Sequence, residues 1–213
     1  QTDYNYTHRK QTGGSGQFAN VQGDIEPMDF NAGVHFEFNN VVKGGNIPSE
    51  FISAVEKGFK DVMDKGPLAA FPVTGVRANL RDGKYHDVDS SEMAFRICAR
   101  TAMRHAIRSA NAQLVEPLMK VEVETPPEYQ GPVIGDLSSR RGVILGMETR
   151  SDVAVVYATV PLAEMFGYST TLRSMSAGKA TFTMEFERYS PCPRNIQEQV
   201  LEERKEKLAK LDE

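Results

Sequence analysis

Residues 143–161 read VILGMETRSDVAVVYATVP, a stretch rich in β-branched and other apolar side chains. Val143–Arg150 and Val153–Pro161 each have the length and composition of a β-strand. The two predicted strands follow one another directly, and a predicted helix lies on each side of the pair. They therefore form the centre of a larger pattern, which indicates the fold of the second half of the chain.

That pattern continues in both directions. Upstream, residues 119–123 alternate as a strand and residues 129–141 can form a helix. Downstream, residues 164–174 fit a helix and residues 180–189 alternate again as a strand. The resulting order β-α-β-β-α-β over residues 115–191 predicts a ferredoxin-like sandwich.

The first half of the chain predicts a different arrangement of strands and helices. Residues 4–8 and 34–38 alternate as strands, and residues 49–65 have the apolar spacing of a helix. Residues 73–80 are predicted to form a further strand. Asp82-Gly83 then predicts the turn that ends this strand.

A second helix of the first half follows Asp89-Ser90-Ser91-Glu92, which has the spacing of a capping box. In this interpretation Asp89 accepts hydrogen bonds from the first-turn N–H groups and Glu92 reaches back. The helix is expected to run to about Asn111. Its buried face is expected to comprise Phe95, Cys98, Ala99, Ala102 and Ala106.

The whole chain is therefore predicted to be an α+β protein of two domains. Residues 1–114 form the first domain, residues 115–191 the second, and residues 192–213 an amphipathic closing helix that packs back toward the first. A length of 213 residues is enough for two small domains, each with its own core.

Composition excludes several classes of protein. The net charge of −4 argues against a generally basic nucleic-acid coat, but it leaves room for a local basic patch. Cys98 and Cys192 lack disulfide or zinc spacing, so no metal site is expected and a reducing cytoplasm is the default. No apolar run approaches the roughly 18 residues that span a bilayer, so no membrane partner is expected.

A glycine-rich segment, QTGGSGQ, occupies residues 11–17. A phosphate-binding loop would need a lysine after its last glycine and a helix beyond it, whereas this segment lacks the lysine and leads into a strand. A flexible hairpin connection is the favoured interpretation from the residues alone.

The segment from His86 to Glu92 is dense in groups that carry chemistry. A calcium loop is rejected, because Glu92 and Cys98 stand where glycine and glutamate are required. A His-Asp-Ser hydrolase is weakly supported, because catalytic triads are assembled from separated segments. His86 has no predicted structural role, and it could stack on or hydrogen-bond a nucleotide.

Two groups of arginines allow two interpretations each. A spacing of four residues places four of them on one face of the second helix, either as a solvated face or as contacts to an RNA backbone. A further pair precedes Gly142, either as a helix C-cap or as RNA contacts. The first group is Arg96, Arg100, Arg104 and Arg108, and the pair is Arg140 and Arg141.

Three long motifs closely resemble bacterial translation elongation factor G. They are THRKQTGGSGQF at residues 7–18, YHDVDSSEMAF at residues 85–95 and FGYSTTLRS at residues 166–174. The intervening residues 41–48 and 133–142 resemble that family too. The resemblance covers nearly the whole chain, in order.

The resemblance implies the fourth and fifth domains of that family. The fourth domain is similar to the second domain of ribosomal protein S5, and the fifth is ferredoxin-like. The GTPase domain, with its GTP and Mg²⁺, would precede Gln1, so the full-length protein is expected to be a GTPase. This chain is expected to hold no cofactor and no catalytic residue.

The resemblance also implies a function. The fourth domain would enter the ribosomal A site, on the small subunit, and promote translocation of transfer RNA and messenger during elongation. Its partners would be the decoding region, transfer RNA in the A and P sites, and the large-subunit sarcin–ricin and stalk-base region. Two tip loops, at about residues 11–17 and 82–89, would contact RNA. Their contacting residues would be Gln11, Thr12, Gly13, Gly14, Ser15, Gly16, Tyr85, His86 and Asp87.

Three alternatives remain open at this point. A paralogue of the same family could be specialised for ribosome recycling with ribosome recycling factor. A ribosome-protection protein would use a similar arm, although the intact tip sequence argues against it. A stand-alone hydrolase built on His86 and Asp87 is the enzyme alternative. Ser15 stands where many family members have a basic residue, which removes one phosphate contact.

Overall fold

The structure is a computed structural model that describes residues 1–11 and 13–209. It divides into two compact units, each with its own core. The first comprises residues 1–113 with the segment from Pro193 onward, and the second comprises Leu114–Cys192. Both units combine a four-stranded sheet with helices, so the predicted two-domain α+β class is confirmed.

The first unit contains one four-stranded sheet. Its strands are β1 (Thr2–Lys10), β2 (Gln17–Pro27), β3 (Phe36–Asn40) and β4 (Val76–Lys84). They lie in the order β1-β2-β4-β3, and only the β3–β4 pair is parallel. The parallel pair needs a crossover, which the first helix of the unit provides.

The predicted turn at Asp82-Gly83 is wrong. Both residues lie inside β4, where Gly83 pairs with Val21 of β2. A Cβ at Gly83 would lie 2.3 Å from the carbonyl oxygen of Asn20. Glycine is therefore needed here for a close backbone approach rather than for a turn. The loop that follows begins at Tyr85 and not at residue 82.

Two helices, α1 (Ser49–Asp64) and α2 (Glu92–Ser109), pack against each other and against the sheet. The predicted buried face of α2 is confirmed, and Met103 and Ile107 extend it. Apolar side chains at helical spacing bury this face because removing them from water is favourable. The core includes the fully buried Phe59 and Phe95.

The cap of α2 differs from the prediction. Ser91 is the N-cap residue, and its side chain accepts a hydrogen bond from the Ala94 N–H at 3.1 Å. Asp89 lies two residues too early for this role, because an N-cap side chain reaches only the second or third N–H of its own helix. Glu92 is the first helical residue. Asp89 is free for another contact, described below.

The second unit contains β5 (Val115–Thr125), α3 (Gln130–Ser139), β6 (Val143–Arg150), β7 (Val153–Pro161), α4 (Tyr168–Met175) and β8 (Thr181–Pro191). Its sheet order is β6-β7-β5-β8, with every neighbouring pair antiparallel. This is the topology of the predicted ferredoxin-like sandwich. Each helix is shorter than expected, and a 3₁₀ turn precedes each, at Pro127–Tyr129 and Leu162–Glu164.

The closing segment forms two short helices where one was expected, α5 (Arg194–Glu203) and α6 (Lys205–Ala209). Arg204, between them, donates a hydrogen bond to the Ala69 carbonyl at 2.8 Å and lies 3.6 Å from the centre of the Phe71 ring. The end of the predicted helix, residues 210–213, lies outside the described residues. None of the helices described is long and apolar enough to cross a membrane.

Candidate nucleic-acid interface

Two loops meet at one end of the sheet of the first unit. Residues 11–16 join β1 to β2, and residues 85–91 join β4 to α2. The β1–β2 register ends at Lys10 opposite Gln17, and the β2–β4 register ends at Asn20 opposite Lys84. Both loops therefore leave the same end of the sheet. We call residues 11–16 and 85–91 together the tip. Thr12, one of the predicted contact residues, lies outside the described residues.

The glycine loop of the tip depends on backbone conformation. Gly13 has φ +79° and Gly14 has φ +149°, values that side chains disfavour. A Cβ at either residue would have nothing within 4 Å, so the requirement is conformational and not steric. Gln11, Gly13, Gly14 and Ser15 are all exposed, and the two glycines leave their backbone groups uncovered by side chains.

Hydrogen bonds tie the 85–91 loop to the start of β2, the strand that follows the glycine loop. The Phe18 N–H donates to the Asp89 carbonyl at 2.9 Å. The Ser90 hydroxyl donates to the Phe18 carbonyl at 2.7 Å and accepts from the His86 N–H at 2.8 Å. Gly16 lies directly against Asp89, where a Cβ would be 2.8 Å from a carboxylate oxygen. The position of one loop is therefore tied to that of the other.

His86 lies on the outside of this body, with 57% of its side chain exposed. The Val88 N–H approaches its Nδ1 at 3.4 Å, and a carboxylate oxygen of Asp89 lies 3.7 Å from the same atom. In a neutral ring that accepts from Val88, the proton is on Nε2. Nε2 has no hydrogen-bond partner within the described part of the chain. A ring in this tautomer keeps its Nε2 donor for an external partner.

The 85–91 loop and the strand ends beside it carry exposed apolar, acidic and basic side chains, and Asp87 is exposed next to His86. Tyr85 and Val88 are exposed beside it. Lys10 and Lys84, the last residues of β1 and β4, are exposed at the same end of the sheet. Arg9 lies over the Phe18 ring, with its guanidinium carbon 5.4 Å from the ring centre. An aromatic surface beside cations suits nucleic acid, where bases stack and phosphates pair.

The same contacts argue against the hydrolase alternative. The Ser90 hydroxyl donates to a backbone carbonyl rather than to His86. A serine nucleophile needs its hydroxyl within hydrogen-bond reach of the base. The His-Asp-Ser arrangement is therefore not assembled at the tip. Among the described residues, no group of three or more potential metal-ligating side chains comes together.

The arginine face of α2 is not uniform. Arg96 makes two hydrogen bonds to the Asp61 carboxylate, each at 2.8 Å, and these hold the pKa of Asp61 below its usual range. Arg100 and Arg104 are half-buried, and no hydrogen bond or ion pair joins either to the rest of the described chain. Arg108 is exposed in the last turn. Arg100 and Arg104 are therefore the members best placed to meet an external anion.

Arg140 and Arg141, in the second unit, have structural partners. Arg140 pairs with Asp136 at 3.0 Å and donates to the Glu164 carbonyl at 2.6 Å. Arg141 makes two hydrogen bonds to Glu116, at 2.8 and 2.9 Å. Because both guanidinium groups are engaged inside the unit, we leave them out of the interface proposed below.

Arg140 and Arg141 lie at the C-terminal end of α3. Arg141 has φ +59°, and the Gly142 N–H donates to the Leu137 carbonyl at 2.9 Å. This is the pattern of a Schellman motif, which satisfies a free carbonyl at a helix end. The segment is therefore a helix C-cap, the first of the two interpretations of the sequence.

Sequence reasoning missed the role of Ser90. The capping-box interpretation gives roles to Asp89 and Glu92 and none to Ser90, whose partner Phe18 lies 72 residues away in the chain. Local spacing carries no signal for such a contact. The register of β2 and β4 is needed to see that the two segments are neighbours.

The fold and the tip together define a two-domain α+β protein with a candidate RNA-binding end. Comparison with protein families identifies both units. Residues 1–111 match the family described as elongation factor G, domain IV, and residues 113–200 match elongation factor G C-terminus. The chain belongs to the elongation factor G family and comprises these two domains.

Individual relatives agree with this assignment. The chain is 54% identical to elongation factor G of Ruegeria sp. (strain TM1040) over 94% of its own length and 28% of the relative's. It is 50% identical to elongation factor G of Rhodopirellula baltica, over 96% of this chain and 30% of that one. A crystal structure of a protein from Thermus thermophilus superimposes with a TM-score of 0.84 at 38% identity, covering 96% of this chain and 30% of that one. The chain thus spans less than a third of the length of these proteins.

Proposed function

We propose that this chain is the ribosome-engaging arm of a translational GTPase that promotes translocation of transfer RNA and messenger during elongation. The observation that carries the proposal is the tip, where hydrogen bonds tie the His86 loop to the strand that leaves the glycine loop, and where His86 and the glycine backbone are both exposed. The tip would occupy the A site on the small subunit of a cytoplasmic ribosome. GTP and Mg²⁺ would be bound by another part of a protein of the relatives' length.

Each feature of the tip has a physical use against RNA. Gly13 and Gly14 let the backbone approach a phosphate or sugar where side chains would be too bulky. The His86 ring can stack on a base or donate from Nε2. Arg100 and Arg104 would add phosphate contacts along α2. No proton transfer is required of any of these residues.

The proposed mechanism is a bias on the ribosome and not a covalent step. An arm that fits the vacated A site binds the ribosome better after transfer RNA has moved than before. Such differential affinity shifts the equilibrium toward the moved state. The second domain would rest on the sarcin–ricin and stalk-base region of the large subunit. Occupation of the A site would then make the movement directional.

Directed probing tests the location of the tip. Ser15 is exposed, so Ser15→Cys can carry an iron chelate in a protein of the relatives' full length that contains this chain. Cys98 is buried and Cys192 is half-buried, so the experiment uses a Cys192→Ser background. Hydroxyl radicals from Ser15→Cys are expected to cleave small-subunit RNA around the decoding region.

Ser174→Cys, exposed on α4 of the second unit, is the matched control. It is expected to cleave large-subunit RNA instead. Identical cleavage patterns from both positions, or no cleavage of decoding-region RNA from Ser15→Cys, would contradict the proposal.

A further inference from the structure

The Ser90 side chain joins the 85–91 loop to the start of β2, next to the glycine loop. Strand β4 stops pairing with β2 at Lys84, opposite Asn20. Two residues earlier in β2, the backbone of Phe18 pairs with the 85–91 loop instead. Its N–H donates to the Asp89 carbonyl at 2.9 Å, and its carbonyl accepts from the Ser90 hydroxyl at 2.7 Å. The Ser90 side chain thus provides a hydrogen bond to β2 beyond the point at which β4 stops pairing with that strand.

Ser90 also closes the loop that carries His86. The His86 N–H donates to the Ser90 hydroxyl oxygen at 2.8 Å, and the Ser90 N–H donates to the His86 carbonyl at 3.1 Å. Both polar groups of the His86 backbone are therefore fixed by Ser90. The same hydroxyl then bonds Phe18, so one oxygen atom connects His86 to the strand that leaves the glycine loop.

A hydroxyl is needed for this arrangement because one atom must accept and donate at once. Alanine at this position would lose both bonds and leave the Phe18 carbonyl without its donor. The neighbouring Ser91 has a different role, since its hydroxyl accepts from the Ala94 N–H of α2. Ser90 therefore connects the 85–91 loop to β2, whereas Ser91 caps α2.

We propose that Ser90 is a positioning residue, whose hydroxyl holds His86 in register with the glycine loop so that both meet RNA as one surface. This inference rests on the proposed function of the tip. Ser90 acts through His86 and Phe18, because both hydrogen-bonding roles of its hydroxyl are used inside the protein. Its contribution to RNA binding is therefore the geometry of the tip.

Amide hydrogen exchange in the 213-residue chain tests the connection without reference to function. In Ser90→Ala, exchange of the His86 amide should be about fivefold faster or more, the factor expected for one lost hydrogen bond. Exchange of the Phe18 amide should also become faster, whereas the exchange rate of the Ala94 amide should stay within about twofold of wild type. Ser90→Thr keeps the hydroxyl and should restore the His86 amide.

Ser91→Ala is the matched control. It should speed exchange of the Ala94 amide and leave the His86 amide unchanged, which is the opposite pattern. Circular dichroism and thermal unfolding of each variant check that the fold is retained. An unchanged His86 amide in Ser90→Ala would overturn the connection itself.

Translocation by a protein of the relatives' full length tests the role in function. Ser90→Ala should slow single-round translocation at least threefold, Ser90→Thr should restore it, and Ser91→Ala should have a smaller effect. If His86→Ala slows translocation but Ser90→Ala does not, the positioning role is wrong while the proposed function stands. If neither variant slows it, both the proposed function and the positioning role fail.

Discussion

At the scale of single residues, Asp24 of β2 shows how this sheet holds a buried charge. The residue is fully buried, forms an ion pair with Arg81 and accepts hydrogen bonds from Asn79 and Gln1, each at 2.9 Å. Burial opposes ionisation of the carboxyl group, but the hydrogen bonds and the nearby guanidinium outweigh it, so its pKa lies below the usual range. A buried carboxylate with this many donors is expected to stay ionised near neutral pH.

Asp24→Asn should lower the free energy of unfolding of the first unit at pH 7 by about 1–3 kcal/mol, because it removes the ion pair and leaves Arg81 without its partner. A lowered pKa contributes stability above the ordinary carboxyl value of about 4, and this stability is lost as pH falls below it. The difference between wild type and variant should therefore narrow from pH 7 to pH 3.

Urea unfolding at the two pH values measures this difference. Asp64→Asn, at an exposed position in the last turn of α1, is the control and should have little effect at either pH. A difference for Asp24→Asn that stays constant or widens in acid would show that the carboxylate is not stabilised by its partners.

At the scale of elements, close packing overrides local preference in α1. Gly58 lies in the middle of the helix, where glycine is unfavourable by up to about 1 kcal/mol relative to alanine. A Cβ there would lie 2.5 Å from the Arg96 carbonyl oxygen and 2.8 Å from the Ala99 Cβ, both on α2. The glycine therefore lets the two helices cross closely. Gly135, inside α3, has nothing within 4 Å of an added Cβ.

The two glycines should respond to alanine with opposite signs. Gly58→Ala should lower the free energy of unfolding by about 1–3 kcal/mol, because the added methyl group forces α1 and α2 apart. Gly135→Ala should raise it by about 0.5–1 kcal/mol through helix preference alone. Chemical denaturation followed by circular dichroism measures both variants. Stabilisation by Gly58→Ala would show that the helix crossing is looser than the structure indicates.

The contrast between local preference and long-range packing also explains how much of the fold could be predicted from the sequence. Helix and strand periodicity located β6, β7 and the buried face of α2, because those signals are local. Asp82-Gly83 has the composition of a turn but lies inside β4. Gly83 is needed there for its close approach to Asn20, a long-range contact that local composition does not show. The cap at Ser91 needed the local backbone conformation to distinguish it from Asp89.

At the scale of the whole molecule, the candidate site is assembled from distant parts of the chain. Motif resemblance located the glycine loop and His86 separately, and the register of β1, β2 and β4 brings them to one end of the sheet. The arginine groups could not be resolved from spacing alone. Arg96, Arg140 and Arg141 have carboxylate partners within their own units. Only tertiary structure shows which cations are already paired.

The tip is proposed to act in moving RNA and not in GTP hydrolysis. Single-round translocation and GTP hydrolysis by a protein of the relatives' full length test it together, with His86→Ala at the tip and His105→Ala, exposed on α2, as the matched control. We expect His86→Ala to slow translocation about tenfold, equivalent to about 1.4 kcal/mol of barrier, with hydrolysis unchanged. His105→Ala should change neither. Equal loss of both activities in His86→Ala would contradict a role of the tip in translocation alone, and a wild type that hydrolyses GTP without moving transfer RNA would favour the recycling paralogue instead.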